Sequence, residues 1–337
     1  MMLRAPRFWS RKPGLLARLL SPLGALYAAA TARRVARAPD WTAPVPVICI
    51  GNLSAGGTGK TPVAIAVLQE LSEMGVAAHC VTRGHGGTAS KGAPHRVQLS
   101  DDPKVTGDEA QLIAAFAPTW VCADRAAGAK AAVAAGAQAI VLDDGFQNPG
   151  LAKNLSLLVV DAEAGFGNGM CIPAGPLREP VPAGLARADA AVILGPEAAR
   201  AQVLADWPAL AALPRLEGQV QPRPIGIDWR GQRVVAFAGI GRPEKFFATL
   251  RGLGVDLRAA HPFPDHAPFT PRALRRLIQE AAAEQAMLVT TEKDAVRLPP
   301  DFRGRAMPLP VHAAWAGEGA AALRALLAAP LGQTPKD

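Results

Sequence analysis

A chain of 337 residues is too long for one small core, and its balance of 50% apolar and 19% charged residues excludes the disordered and fibrous classes. The formal net charge of +8 comes from eight basic residues ahead of Asp40, the first acid; the remainder is formally neutral, which excludes a protein basic throughout and leaves the charge a weak argument for nucleic acid. Cys49, Cys80, Cys122 and Cys171 lie far apart with no CxxC pair, which excludes a zinc ribbon or dithiol redox pair and fits a reducing, cytosolic compartment.

Residues 1–40 form a basic N-terminal segment. The run from Gly14 to Ala32, GLLARLLSPLGALYAAATA, is broken by Arg18 and Pro22, short of the ~20 uninterrupted apolar residues of a spanning helix. Leu15, Leu16, Leu19 and Leu20, with Phe8 and Trp9 nearby and flanking cations, predict an interfacial element on an anionic bilayer. The same pattern also suits a helix packed on the body of the protein.

Next comes an apolar run rich in β-branched residues, Val45–Ile50, which predicts a buried parallel strand. The loop Ser54–Thr61, SAGGTGKT, follows it and precedes a helical pattern, VAIAVLQEL. Strand, Gly-rich loop and helix together make a P-loop. Ser54, Ala55, Gly56, Gly57, Thr58 and Gly59 are expected to curl backbone N–H groups around the phosphates of a nucleotide. Lys60 places a point charge on the β- and γ-phosphates, and Thr61 offers a hydroxyl to Mg²⁺. Strands are predicted at 76–82, 119–123, 155–161 and 190–194, with a helix over 125–135. The apolar strand Ala139–Leu142 runs into Asp143 and Asp144, a Walker B pattern that brings carboxylates to Mg²⁺.

The Pro-rich stretch 208–224 reads as a boundary. Beyond it the alternation resumes, with strands at 234–238, near Leu257 and at 287–290 and helices at 243–253 and 271–286. These elements predict an α/β protein: a P-loop NTPase-type parallel sheet wrapped by helices (41–212), with a second, smaller α/β domain (213–337). Thr291-Glu292-Lys293-Asp294 has the wrong spacing for a guanine reader, and Ala55 stands where membrane-cycling partition ATPases carry an extra Lys.

Polar clusters sit in loops after strands, where α/β proteins place their sites. They are Arg83–Gly87, Thr106–Ala110, the Pro-flanked Pro173–Pro180, and Pro264-Asp265-His266. Asp108 suits a helix cap as well as a functional carboxylate. Arg178 and Glu179 also read as a surface ion pair, and His266 as a loop histidine.

The strings GNLSAGGTGKTP, TRGHGG, TGDEA, LDDGFQ, PAGPLREP, FPDH and TEKDAVRL follow one another over nearly the whole chain. Together they resemble the tetraacyldisaccharide 4'-kinase family of Gram-negative bacteria. The resemblance implies phosphate transfer from ATP to the 4'-hydroxyl of a lipid disaccharide 1-phosphate, at the cytoplasmic face of the inner membrane. It also implies a peripheral enzyme with no nucleic-acid partner, and a site in a cleft between two α/β domains. It places Lys60 and Thr61 on ATP and Mg²⁺, Asp143 and Asp144 near the metal with Glu179 as a further candidate, Asp108 on the acceptor hydroxyl, and His266 as the group orienting that aspartate. The family commonly has Ser-Arg-Gly-Tyr-Gly-Arg where this chain reads Thr82-Arg83-Gly84-His85-Gly86-Gly87, so only Arg83 carries over in that loop. A soluble small-molecule kinase and a P-loop ATPase that cycles on membranes are the alternative readings. The first predicts full activity after deletion of residues 1–37, and the second leaves the Asp108 and Arg178–Glu179 loops without a purpose.

Overall fold

The computed structural model describes residues 6–265 and 267–332. They divide into two units: a larger one built from residues 6–220 together with 313–332, and a smaller one built on Gln221–His312.

The strands, in chain order, are β1 Val47–Gly51, β2 Ala78–Thr82, β3 His95–Arg96, β4 Thr119–Val121, β5 Ala139–Asp143, β6 Leu155–Asp161, β7 Ala190–Leu194, β8 Arg215–Pro222, β9 Arg233–Ala238, β10 Asp256–Pro262, β11 Met287–Thr291, β12 Met307–Leu309 and β13 Val311–Trp315. Among the described residues they form a nine-stranded sheet, β13-β8-β7-β6-β1-β5-β2-β4-β3, and a four-stranded sheet, β10-β9-β11-β12. From β8 to β4 the pairings are parallel, with β3 antiparallel at one edge. The smaller sheet is parallel throughout.

The larger sheet is covered on both faces, which is why its strands read as unbroken apolar runs. Alternate residues go to opposite sides. Val47, Cys49, Ile140, Leu142, Leu158 and Val160 join one core, while Ile48, Ile50, Val141, Leu157 and Val159 join the other. The helix after the phosphate loop, Lys60–Glu73, packs on the second side through Val63, Val67, Leu68 and Leu71.

The boundary expected at 213 lies elsewhere. Pro214 precedes β8 and Pro222 ends it, so neither interrupts the ladder, and Leu216 is fully buried. The chain therefore completes β8 before it leaves for the smaller unit. It returns through β13 and the helix Gly319–Ala328, whose Leu323 and Leu327 complete the core beneath the helix Lys60–Glu73. Arg324 of this returning helix pairs with Glu70. The second unit is thus an insertion, not the C-terminal half.

The N-terminal run is one helix, Leu15–Val35, despite Pro22. A proline removes the hydrogen bond to the carbonyl four residues back. Here the Ser21 hydroxyl donates to that carbonyl, on Arg18, at 2.7 Å. The helix is long and apolar enough to cross a membrane by length and composition. Its buried positions are Ala17, Gly24 and Thr31, a small-residue stripe at seven-residue spacing. Leu15, Leu16, Leu19, Leu23 and Leu26 are exposed.

Candidate phosphate-transfer site

Parallel strands deliver their carboxyl ends to one edge of a sheet. In the larger unit that edge gathers the loops after β1, β2, β4 and β5. The loop after β1 opens on Asn52, which is fully buried. Its side-chain amide donates to the Ser54 carbonyl (2.9 Å) and to the Thr58 hydroxyl (3.0 Å), curling the chain between them. Gly56 (φ 129°) and Gly59 (φ 88°) occupy backbone conformations that side chains resist. A Cβ on Gly56 or Gly57 would meet nothing within 4 Å, so the loop faces open space. Gly59 then caps the helix that starts at Lys60, whose N-terminus favours an anion.

At the end of β5, Asp143 points into the protein and Asp144 toward the phosphate loop. The Asp144 backbone has φ 51°, a left-handed conformation tolerated by aspartate. Its Oδ1 lies 3.5 Å from Lys60 Nζ and accepts a hydrogen bond from Arg178 at 2.8 Å. Burial alone would raise its carboxyl, but Lys60 and Arg178 hold it below the usual carboxylate range. Asp143 behaves in the opposite way: burial, with Glu109 and Asp144 close by, pushes its carboxyl up to about 7. Its Oδ2 accepts from the Thr82 hydroxyl at 3.1 Å, while its Oδ1 is buried with no hydrogen-bond partner.

Magnesium takes hard oxygen donors, commonly one or two carboxylates completed by phosphate and water. The orphaned Asp143 oxygen, the Asp144 carboxylate and the Thr61 hydroxyl fit that donor set. Among the described residues no group of three or more His, Cys, Asp or Glu side chains could hold an ion by itself. A metal here would therefore rely on phosphate oxygens for the rest of its shell.

Glu179 is held by the protein itself. It is 4% exposed, Gln147 donates to its Oε1 at 2.9 Å, and Arg187 pairs with its Oε2. Its loop lies against the phosphate loop: Ala55 N–H donates to the Pro176 carbonyl, and Arg178 N–H to the Leu53 carbonyl, each at 2.7 Å.

Asp108 begins the helix Asp108–Ala114 rather than capping it; Gly107 is the cap. The carboxylate is 4% exposed, and its Oδ1 accepts the Glu109 N–H at 2.9 Å. Gly107 packs on the loop leaving β2, since a Cβ there would lie 2.8 Å from the His85 carbonyl oxygen. The charge of the next residue, Glu109, is felt at Asp143. Asp108 is thereby brought to the same sheet edge as the Walker B pair.

In the smaller unit, Asp294 of the TEKDAVRL string is fully buried, accepting the Gly239 N–H at 3.0 Å and pairing with Arg297. His261 Nε2 lies 2.9 Å from Glu280 Oε2. His266 lies outside the described residues.

Several residues at this edge escaped the sequence reading. Thr82, Glu109 and Gln147 stand inside or beside motifs that were recognised, so adjacency was a usable signal. Asn52 stands in GNLSAGGTGKTP and acts on Ser54 and Thr58 of that same loop, whereas Arg187 lies in no motif and reaches the Phe146 carbonyl across 41 residues. Arg125 is likewise 5% exposed, and the charges of Asp143 and Asp144 reach it.

A Gly-rich loop between a central parallel strand and a helix, with an aspartate pair on the neighbouring strand, defines a P-loop nucleotide-binding protein of the kinase type. A family model described as tetraacyldisaccharide-1-P 4'-kinase matches residues 16–330. The chain belongs to the tetraacyldisaccharide 4'-kinase family. It is 57% identical to the protein of that name from Dinoroseobacter shibae, over 94% of this chain and 95% of that one. To the Jannaschia sp. protein of the same name it is 55% identical, over 92% and 94%. It is also similar to the crystal structure of LpxK from Aquifex aeolicus in complex with ATP, with TM-score 0.75 and 26% identity, covering 94% of this chain and 100% of that one.

Proposed function

We propose that this chain is an ATP-dependent kinase that phosphorylates the 4'-hydroxyl of tetraacyldisaccharide 1-phosphate in lipid A biosynthesis. The observation that carries the reading is the Lys60–Asp144 pair at the head of the phosphate loop, beside the buried free oxygen of Asp143. Membership of the 4'-kinase family supplies the acceptor.

Phosphoryl transfer through a loose transition state asks the protein for position and charge rather than covalent chemistry. Residues Ser54 to Thr61 cradle the triphosphate, and Lys60 is proposed as the catalytic cation that neutralises charge on the β- and γ-phosphates. Thr61, Asp143 and Asp144 would hold Mg²⁺. When bound, the ion supplies further charge neutralisation on the phosphate oxygens. Asp108 accepts the proton of the attacking 4'-hydroxyl. His266 stands as a candidate catalytic residue on its FPDH motif alone. Glu179, expected in the metal shell from the sequence, is better placed in the support of the loop, since both its oxygens are engaged by side chains.

An acceptor with four acyl chains resides in a bilayer. The exposed leucines of Leu15–Val35 and the cations that flank them suit attachment at the cytoplasmic face of the inner membrane, as a peripheral protein.

The test is an assay of the purified protein with ATP, Mg²⁺ and the lipid disaccharide 1-phosphate in detergent micelles, beside Asp108→Ala. The expected result is a 4'-phosphorylated product. Asp108→Ala lowers kcat by about 10²- to 10⁴-fold with little change in KM for ATP. ATP hydrolysis with the acceptor left unmodified would overturn the assignment.

A further inference from the structure

Arg187 lies eight residues beyond Glu179 and outside every string that carries the family resemblance. Its guanidinium nevertheless touches two parts of the site edge at once. One nitrogen pairs with Glu179 Oε2, the other donates to the Phe146 carbonyl at 3.0 Å, and the plane sits 4.7 Å from the centre of the Phe146 ring. From the far side, Lys153 Nζ donates to the same carbonyl at 3.2 Å and to that of Asn148 at 2.8 Å.

The contacts continue inward from Glu179 without a gap. Its Oε1 accepts from Gln147 Nε2, and the same Gln147 amide donates to the Asn52 backbone carbonyl, both at 2.9 Å. The orientation of that amide is settled by its surroundings, because its oxygen faces Arg178 at 3.4 Å. A primary amide has two N–H groups, and both are spent. Asn52 in turn holds the Ser54 carbonyl and the Thr58 hydroxyl from inside the phosphate loop. The path therefore runs through the side chains of Arg187, Glu179 and Gln147 to the Asn52 main chain, and from the Asn52 side chain to the phosphate loop.

A buried carboxylate needs a partner charge and hydrogen bonds to stay ionised. Without Arg187, Glu179 is left buried without its paired cation and turns toward water. That movement loosens its hold on Gln147, and with it the hold of Gln147 on Asn52. A lysine keeps the charge but lacks the fork that reaches both Glu179 and the Phe146 carbonyl.

We propose that Arg187 is a positioning residue for nucleotide binding, acting through Glu179, Gln147 and Asn52 to set the shape of the phosphate loop. The proposal rests on the nucleotide-site reading above, and it makes Glu179 a link in this path rather than a metal ligand.

The test is equilibrium binding of ATP, without turnover, to wild type, Arg187→Met, Arg187→Lys and Gln147→Met, in EDTA and again with Mg²⁺, alongside thermal unfolding and steady-state kinetics. The expected result is a loss of ATP affinity of about tenfold in Arg187→Met, similar with and without metal. KM for ATP rises by a like factor while kcat changes little, and Arg187→Lys recovers part of the loss. Gln147→Met breaks the path without stranding a buried charge, so it carries the test if Arg187→Met does not fold, and it should show the same metal-independent loss. Folded Arg187→Met or Gln147→Met with wild-type affinity in EDTA overturns the proposal. So does a loss seen only with Mg²⁺, which would return Glu179 to the metal. Wild type that binds no ATP would instead overturn the nucleotide-site reading, so the two failures are distinguishable.

Discussion

Adjacent carboxylates meet opposite environments at the end of β5. Asp144, turned outward by its left-handed backbone, meets Lys60 and Arg178 and stays ionised. Asp143, turned inward, is raised by burial and by neighbouring acids and keeps one oxygen free. Asp144→Ala should raise the Mg²⁺ concentration needed for half-maximal kinase activity and regain part of its rate at high Mg²⁺. A rate that does not respond to Mg²⁺ would remove Asp144 from the metal shell. A second residue-scale prediction concerns stability. His79 is 6% exposed on β2, where its Nδ1 accepts from Trp120 Nε1 at 3.3 Å. Burial, reinforced by Arg96, lowers its pKa from 6.5. The folded state thus prefers neutral His79, so its contribution is present above the unfolded pKa and is lost as pH falls through the folded one. Urea unfolding at pH 8 and pH 5 should show wild type losing more stability across that interval than His79→Asn, which keeps an acceptor for Trp120 and cannot titrate. Equal losses would mean that the charged imidazole finds a partner.

At the scale of an element, the helix Leu15–Val35 has a seated face and an exposed one. The small stripe seats it: a Cβ on Gly24 would fall 2.9 Å from the Cys171 carbonyl oxygen. Gly24→Leu should therefore destabilise the larger unit by about 1–3 kcal/mol through overpacking, measured by denaturant unfolding. The leucine face touches little of the protein, with Leu15 at 77% and Leu19 at 68% exposure. Leu15→Glu with Leu19→Glu should leave the unfolding midpoint unchanged. Binding to vesicles containing anionic lipid should fall at least about tenfold for each leucine lost from the bilayer. Unchanged vesicle binding would remove this face from the proposed membrane attachment.

At the scale of the molecule, the smaller unit is inserted between two adjacent strands of the larger sheet, β8 and β13. A chain ending at His312 should lose the cooperative unfolding transition of the larger unit, because Leu323 and Leu327 vanish from its core. Joining Val220 to Ala313 by a short linker should preserve that transition. If the chain ending at His312 still folded cooperatively, the C-terminal helix would be dispensable to the core.

The residues alone determined the local pieces: the P-loop, the Walker B strand, the parallel α/β alternation and the order of the family strings. Each of these depends on a short stretch whose conformation is set by glycine, β-branching or apolar periodicity. Only the tertiary structure decided that the chain returns to its first sheet, that Glu179 is clasped by Gln147 and Arg187, and that Pro22 passes within a continuous helix. It also decided that Asp108 and Asp143 share one edge. Those outcomes depend on side chains that meet across wide gaps in the sequence, where hydrogen-bond satisfaction and burial, not local preference, select the arrangement.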